Sequence, residues 1–215
     1  MSGKMNKTLP EGWQLVKLGD VCEIARGGSP RPIDNFITKD KTGINWIRIG
    51  DAKNGSKYIN ETADRITPEG ANRSRFVVKG DFILSNSMSF GRPYIMNTDG
   101  CIHDGWLLIR DNKLLFDKEF LYYSLCTGSV VEQFRNAARG GIVNNLNINL
   151  VKEVTIPLLP LHQQKRIAAI LNEKMAAVEK ARVASEAQLE AVKVLAIAYL
   201  REAFPRLFDD LPEGW

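Results

Sequence analysis

From Leu161 to Ala203 the chain reads LHQQKRIAAILNEKMAAVEKARVASEAQLEAVKVLAIAYLREA, without a glycine or a proline. Alanine, leucine, valine, glutamate, lysine and glutamine dominate it, all good helix formers apart from valine. Pro157 and Pro160 stand just before it, where a missing N–H costs a helix nothing, and Pro205 and Pro212 end it. At a rise of about 1.5 Å per residue the segment is about 64 Å long if helical throughout. A helix of that length cannot curl around one small core. Its apolar residues fall on a heptad, with Ala168, Met175, Arg182, Leu189 and Ala196 at one seam position. Leu171, Val178, Ser185, Val192 and Tyr199 take the other, three residues on. Arg182 and Ser185 interrupt the seam, a device that fixes register at some cost in stability. The pattern predicts a helix-on-helix spacer, paired through Leu171, Met175, Val178, Leu189, Val192 and Tyr199.

Residues 9–160 have a different texture, rich in glycine, proline, asparagine and short β-type runs. Trp46–Ile49, Arg75–Val78, Phe82–Ser85, Tyr94–Met96 and Trp106–Ile109 each end at a turn signal or lead out of one. Helical stretches are mixed in. Lys118–Thr127 places Phe120, Leu121, Ser124 and Leu125 on one face, and Val130–Ala138 is similar. The expectation is an α+β protein in three parts: a mixed α/β domain with a mainly antiparallel sheet over residues 1–160, one long helix over 161–203, and a linker over 204–215.

That linker carries a repeat. Leu9-Pro10-Glu11-Gly12-Trp13 recurs as Leu211-Pro212-Glu213-Gly214-Trp215. An offset of roughly 200 residues is too long for a solenoid, whose units run about 20–50 residues. The order pentapeptide, domain, helix, pentapeptide reads as one complete unit followed by the opening of the next, so function is expected to need two copies.

Composition is that of an ordinary soluble protein, 44% apolar and 25% charged, and no apolar run approaches the roughly 18 residues a membrane span needs. Met1–Thr8 is polar, with no secretory apolar core, so a cytoplasmic protein is expected. Cys22, Cys101 and Cys126 are odd in number and form no C-x-x-C pair, which predicts buried free thiols rather than disulfides or a zinc ribbon.

A search for catalytic machinery returns little. There is no P-loop, no strand-G-x-G-x-x-G-helix unit and no G-x-S-x-G elbow. His103 and His162 are the only histidines, and His103 beside Asp104 lacks a nucleophile motif nearby. It reads as a hydrogen-bonding or surface histidine. Asp117-Lys118-Glu119 superficially resembles a nuclease cluster but stands at a helix start, where acids complement the dipole. No enzyme, no cofactor and no metal are expected.

Features suited to DNA are easier to find. Between Arg26 and Lys57 lie seven basic residues (Arg26, Arg31, Lys39, Lys41, Arg48, Lys53, Lys57) against three acids (Asp34, Asp40, Asp51). Three Gly/Ser/Asn loops carry arginine: Arg26-Gly27-Gly28-Ser29-Pro30-Arg31, Ser85–Arg92, and Arg139–Asn145. A guanidinium grips guanine or phosphate, Asn reads adenine, and small residues let backbone N–H groups approach phosphates. Candidate DNA contacts are therefore Arg26, Ser29, Arg31, Arg48, Lys53, Ser87, Arg92, Arg139, Asn144 and Asn145, with Arg31, Arg92 and Arg139 foremost.

These residues also carry a resemblance. Leu9–Trp13, then Val16-Lys17-Leu18-Gly19-Asp20-Val21-Cys22-Glu23-Ile24 and Gly27-Gly28-Ser29-Pro30, resemble the start of a target-recognition domain in specificity subunits of type I restriction–modification systems. Trp46–Asp51 and Gly80–Ser85 are similar to later landmarks of that domain, and Ile156–Leu171 is similar to the passage into its long helix. The resemblance implies two recognition domains per full subunit, each reading half of a bipartite target, with two antiparallel helices as a ruler between them. It implies partners as well: double-stranded DNA, methylation subunits that modify adenine using S-adenosylmethionine, and restriction subunits. The specificity subunit itself performs no chemistry. This chain departs in holding one domain and one helix, which fits either a shortened chain or a natural half-subunit acting as a homodimer. The alternative is a coiled-coil interaction module that assembles partners without touching DNA, and a third reading is an enzyme with an unfamiliar site around His103.

Overall fold

Strands that read as unbroken apolar runs occupy the middle of the molecule. The computed structural model describes residues 10–53, 55–86, 91–139 and 146–204. In chain order these form β1 (Gln14–Lys17), α1 (Leu18–Val21), β2 (Glu23–Arg26), β3 (Ile37–Thr38), β4 (Ile44–Ile47), β5 (Tyr58–Ile59), β6 (Asp64–Ile66), α2 (Pro68–Ala71), β7 (Arg75–Val77) and β8 (Phe82–Ser85). There follow β9 (Pro93–Met96), β10 (Gly100–Ile102), β11 (Trp106–Arg110), α3 (Lys118–Cys126), α4 (Gly128–Arg139), α5 (Ile148–Lys152), β12 (Thr155–Leu158) and α6 (Leu161–Ala203).

The strands make two five-stranded sheets, β3-β6-β4-β10-β7 and β2-β11-β8-β9-β5, plus the antiparallel pair β1-β12. Pairing is antiparallel except between β4 and β10 and between β5 and β9. In the second sheet Trp106 faces Ser85 and Leu107 faces Leu84, while Leu108 and Ile109 lie opposite Ala25 and Ile24 on the other side. Alternate side chains of a strand point to opposite faces, and here both faces are covered. Trp106 and Leu108 join Ile83, Tyr94 and Met96 in a core shared with Ile47, Val77 and Ile102 of the first sheet. Leu107 and Ile109 join Phe82, Leu84 and Ile95 in a larger core closed by α1, α3, α4 and α5. Trp46, Ile66 and Cys101 fill a third, smaller cluster on the outer face of the first sheet.

Local chemistry sets the helix boundaries. Asp117 caps α3, its carboxylate accepting the Phe120 N–H at 3.0 Å, so the acid of the nuclease-like triplet serves a structural purpose. The α3 face buried is Phe120, Leu121, Ser124 and Leu125, as the spacing predicts. Trp46–Ile49 is cut short at Ile47, because the Asp51 carboxylate accepts the Arg48 N–H at 2.7 Å and folds residues 49–51 into a 3-10 turn. Cys22 and Cys101 are buried free thiols, and burial pushes them up to about 12 and about 11. Cys126 differs: it ends α3 and is exposed.

The chain divides into two compact units, Met1–Ala168 and Ala169–Trp215. The first two turns of α6 belong to the first unit, and Gln164 roots them. Its side chain is fully buried. Nε2 donates to the carbonyls of Leu115 (2.9 Å) and Leu159 (2.7 Å), and Oε1 accepts the Asp117 N–H (2.8 Å). Beside it, Trp13 Nε1 donates to Gln163 Oε1 at 3.0 Å, so the tail of the first pentapeptide docks on the helix start. The second pentapeptide lies outside the described residues.

In the second unit α6 continues to Ala203, and the whole helix has 43 residues. Met175, Val178, Leu189, Val192 and Tyr199 of the predicted seam are exposed, and Leu171 is half-buried. Arg182 at the centre of the seam is clasped by Glu179 one turn before it and Glu186 one turn after. Towards the end the apolar surface spreads beyond the seam to Val194, Leu195, Ile197, Leu200 and Phe204, all at least half exposed or nearly so. No helix among the described residues is long and apolar enough to cross a membrane.

Candidate nucleic-acid interface

The first arginine-bearing loop and the described start of the second, far apart in sequence, meet at one tight turn, His103-Asp104-Gly105, between β10 and β11. The first loop leaves β2 at Arg26. Gly27 N–H donates to the Trp106 carbonyl (2.9 Å) and Gly28 N–H to that of Ile102 (3.0 Å). A Cβ on Gly27 would lie 2.1 Å from the His103 carbonyl oxygen, so only glycine allows this approach. The Arg26 Nε then donates to the Asp104 carbonyl (3.2 Å), Ser29 Oγ to Asp104 Oδ1 (3.0 Å), and Arg31 Nη2 to Asp104 Oδ2 (3.3 Å).

The second loop starts from β8 and is tied to the same turn by Asn86. This buried side chain donates from Nδ2 to the Asp104 carbonyl (2.9 Å), while its N–H donates to the Gly105 carbonyl (3.0 Å). Leu146, which follows the third loop in sequence, donates its N–H to the Asn86 carbonyl (3.0 Å). A small cleft next to Arg26 is lined by Asn147, Ile148 and Asn149, just past that loop.

His103 completes the turn. Its Nδ1 accepts the Gly105 N–H (2.9 Å), so a neutral ring carries its proton on Nε2, which lies 3.0 Å from Asp104 Oδ1. The ring stands edge-on to Trp46 at a centroid distance of 6.0 Å. Burial works to raise Asp104, yet the Ser29 hydroxyl, His103 and Arg31 together hold it below the usual carboxylate range.

Beyond the turn opens a groove of about 830 Å³. Ile33, Ile37 and Trp46 supply apolar walls, and Arg31, Arg48 and His103 its basic rim. Arg48 is ion-paired with Asp64, which also lines the groove. Each groove arginine is thus backed by its own aspartate. The groove around His103 is open and polar-rimmed. Among the described residues no group of three or more His, Cys, Asp or Glu is placed to hold a metal.

Of the predicted contacts, the structure brings together Arg26, Ser29, Arg31 and Arg48 here. Lys53 pairs with Glu61 at 3.3 Å and does not line the groove. Arg92 stacks over the Tyr94 ring at 5.4 Å and does not line it either. Arg139 ends α4, but its side chain, like Ser87, Asn144 and Asn145, lies outside the described residues. The basic excess of the Arg26–Lys57 stretch is offset by acids from outside it. Lys57 is largely buried against Glu119 with the rings of Tyr122 and Tyr123 within 5 Å, and Arg31, Arg48 and Lys53 pair with Asp104, Asp64 and Glu61. The organising role of Asp104 and Asn86 is not visible in the sequence, because their partners are remote along the chain. The glycine at 105 and the adjacent histidine were the only local signals.

The model of the type I restriction modification DNA specificity domain matches residues 10–190. The specificity subunit of the type I restriction enzyme MjaIX from Methanocaldococcus jannaschii is 26% identical over 170 residues, covering 76% of this chain and 38% of that one. The putative MjaX specificity subunit of the same organism is 29% identical over 175 residues, covering 77% and 40%. The crystal structure of the HsdS subunit from Thermoanaerobacter tengcongensis superposes with a TM-score of 0.64 at 24% identity, over 83% of this chain and 42% of that one. The chain spans about two fifths of the length of these relatives.

Proposed function

The chain belongs to the type I restriction–modification DNA specificity domain family, and from that premise we propose that it is the sequence-reading component of a type I restriction–modification complex. The observation that carries the reading is the binding of Arg26, Ser29, Arg31 and Asn86 to Asp104, beside a groove rimmed by Arg31 and Arg48. Base edges are read by guanidinium forks and side-chain amides held in fixed positions, and this arrangement holds them so. Residues 1–160 read one half of a bipartite site in double-stranded DNA. Residues 161–203 pair with the same helix of a second copy, and 204–215 lead towards a further unit. The component contributes no catalysis of its own; methylation subunits and then restriction subunits, docked on it in the cytoplasm, act at the site it selects.

Pairing rests on the exposed seam. Met175, Val178, Leu189 and Val192 each gain at most roughly 1.5–3 kcal/mol on full burial, and two copies bury the set, with Tyr199, twice. A twofold pair of identical chains gives an isologous interface, so the two half-sites are inverted repeats separated by a fixed gap. The test is to express the full chain with its methylation subunits and map every modified adenine. One palindromic bipartite motif is expected. Methylation spread over adenines without regard to sequence would sink the proposal.

A further inference from the structure

We propose that Asp104 sets the specificity of this interface by committing Arg31 to a guanine edge and denying it a phosphate. The inference rests on the DNA-reading role above and concerns how that role discriminates.

Arg31 extends into solvent, its side chain 81% exposed, yet it is anchored at one atom, Nη2 on Asp104 Oδ2. An unanchored exposed arginine samples many rotamers and grips whichever anion comes near. Holding one arm draws the guanidinium towards Asp104 and narrows its orientations, and the remaining donors of the fork still match the O6 and N7 acceptors of guanine. The anchor itself is fixed from several sides. Asp104 Oδ1 takes the Ser29 hydroxyl at 3.0 Å, His103 Nε2 lies 3.0 Å from the same oxygen, and its main-chain carbonyl takes Arg26 and Asn86.

Charge supplies the second half of the argument. A phosphate reaching Arg31 would bring its negative charge close to the Asp104 carboxylate, in a groove whose walls are partly apolar. A base edge carries no net charge and suffers no such repulsion. Arg48 on the same groove repeats the device with Asp64. Two arginines, each backed by an aspartate, describe a surface built to read bases.

The experiment uses the full chain assembled with its methylation subunits, once its motif is mapped. Binding is measured to a duplex carrying that motif and to one with both half-sites scrambled, at several salt concentrations. Asp104→Asn keeps the size and the Ser29 acceptor and removes the charge. It is expected to lower the ratio of the two affinities about tenfold, with affinity for scrambled DNA unchanged or increased. Arg31→Lys keeps a cation without the fork; it is expected to lose discrimination as much as Arg31→Ala, with the salt dependence unaltered. Guanine is expected at the motif position that Arg31→Ala relaxes. Equal weakening on both duplexes by Asp104→Asn, or full rescue by Arg31→Lys, overturns the proposal. If instead the double variant Arg31→Ala, Arg48→Ala binds both duplexes as the parent does, the placement of DNA on this groove fails, while a single mapped motif leaves the proposed function standing.

Discussion

Replacing Gln164 with leucine keeps much of the volume of a fully buried side chain and removes all its polar atoms. Three main-chain groups lose their partner: the carbonyls of Leu115 and Leu159 and the N–H of Asp117. A buried hydrogen bond contributes about 0.5–1.5 kcal/mol net, and a group left unsatisfied costs about 1–3 kcal/mol. The Leu159 carbonyl sits in the buried interior and its bond is the shortest of the three, so it lies at the upper end. With the buried Leu159 carbonyl at about 2–3 kcal/mol and the two part-buried groups, within reach of water, at about 0.5–1 kcal/mol each, the loss is about 3–5 kcal/mol. That is a large fraction of the roughly 5–15 kcal/mol by which a domain is stable. For a domain of this size each kcal/mol shifts the melting temperature by about 2–4 °C, so a fall of roughly 6–20 °C is expected. Thermal unfolding followed by tryptophan fluorescence and, separately, by circular dichroism measures it. Gln163→Leu is the control: it loses one part-buried bond to Trp13 and is expected to cost about 1 kcal/mol. A shift below about 3 °C for Gln164→Leu, or one no larger than that of Gln163→Leu, refutes the claim that this side chain roots the helix.

Deleting one heptad from α6, Glu179–Ser185, shortens the helix by about 10.5 Å; in the paired chain the gap between half-sites should contract by about 3 base pairs at about 3.4 Å each, read from the methylation motif. Leu189→Glu with Val192→Glu puts charges into the exposed seam and should yield monomers in sedimentation velocity, while the first unit melts as before. Gly27→Ala forces the loop away from the His103 carbonyl; about 1–3 kcal/mol of stability should be lost, together with discrimination between motif and scrambled DNA. Asp104, held below the ordinary carboxylate range, contributes stability that is present above the unfolded pKa of about 3.9 and is lost as pH falls through the lower folded value. Asp104→Asn should therefore flatten the acid limb of stability against pH below about 5, measured by urea unfolding.

Much of the secondary structure is legible in the chain because its causes are local. The long helix starts after Pro160 and runs through a stretch free of glycine and proline, and the structure begins and ends it at the expected residues. Phe82–Ser85 and Trp106–Ile109 announce themselves as strands because a sheet covered on both faces needs no polar alternation. Strand order is not legible. The parallel partners β4 and β10 lie more than fifty residues apart, and β3 and β5 have only two residues each, too short for any period. The interface is legible in part. Its loops stand out by composition, but what joins them, Asp104 and Asn86, acts across separations of 18 to 78 residues. Charge counting along Arg26–Lys57 overstates the basic surface for the same reason, since the neutralising acids are remote in sequence.

The way the loops are tethered bears on how such a protein acquires new targets. Gly27 and Gly28 hold on by their N–H groups to the main-chain carbonyls of Trp106 and Ile102, and the Leu146 N–H to that of Asn86. Carbonyls survive any change of side chain at their own position. The letters that face the DNA can therefore be rewritten while the attachments stay, and a lineage can explore new recognition sequences without passing through unfolded intermediates.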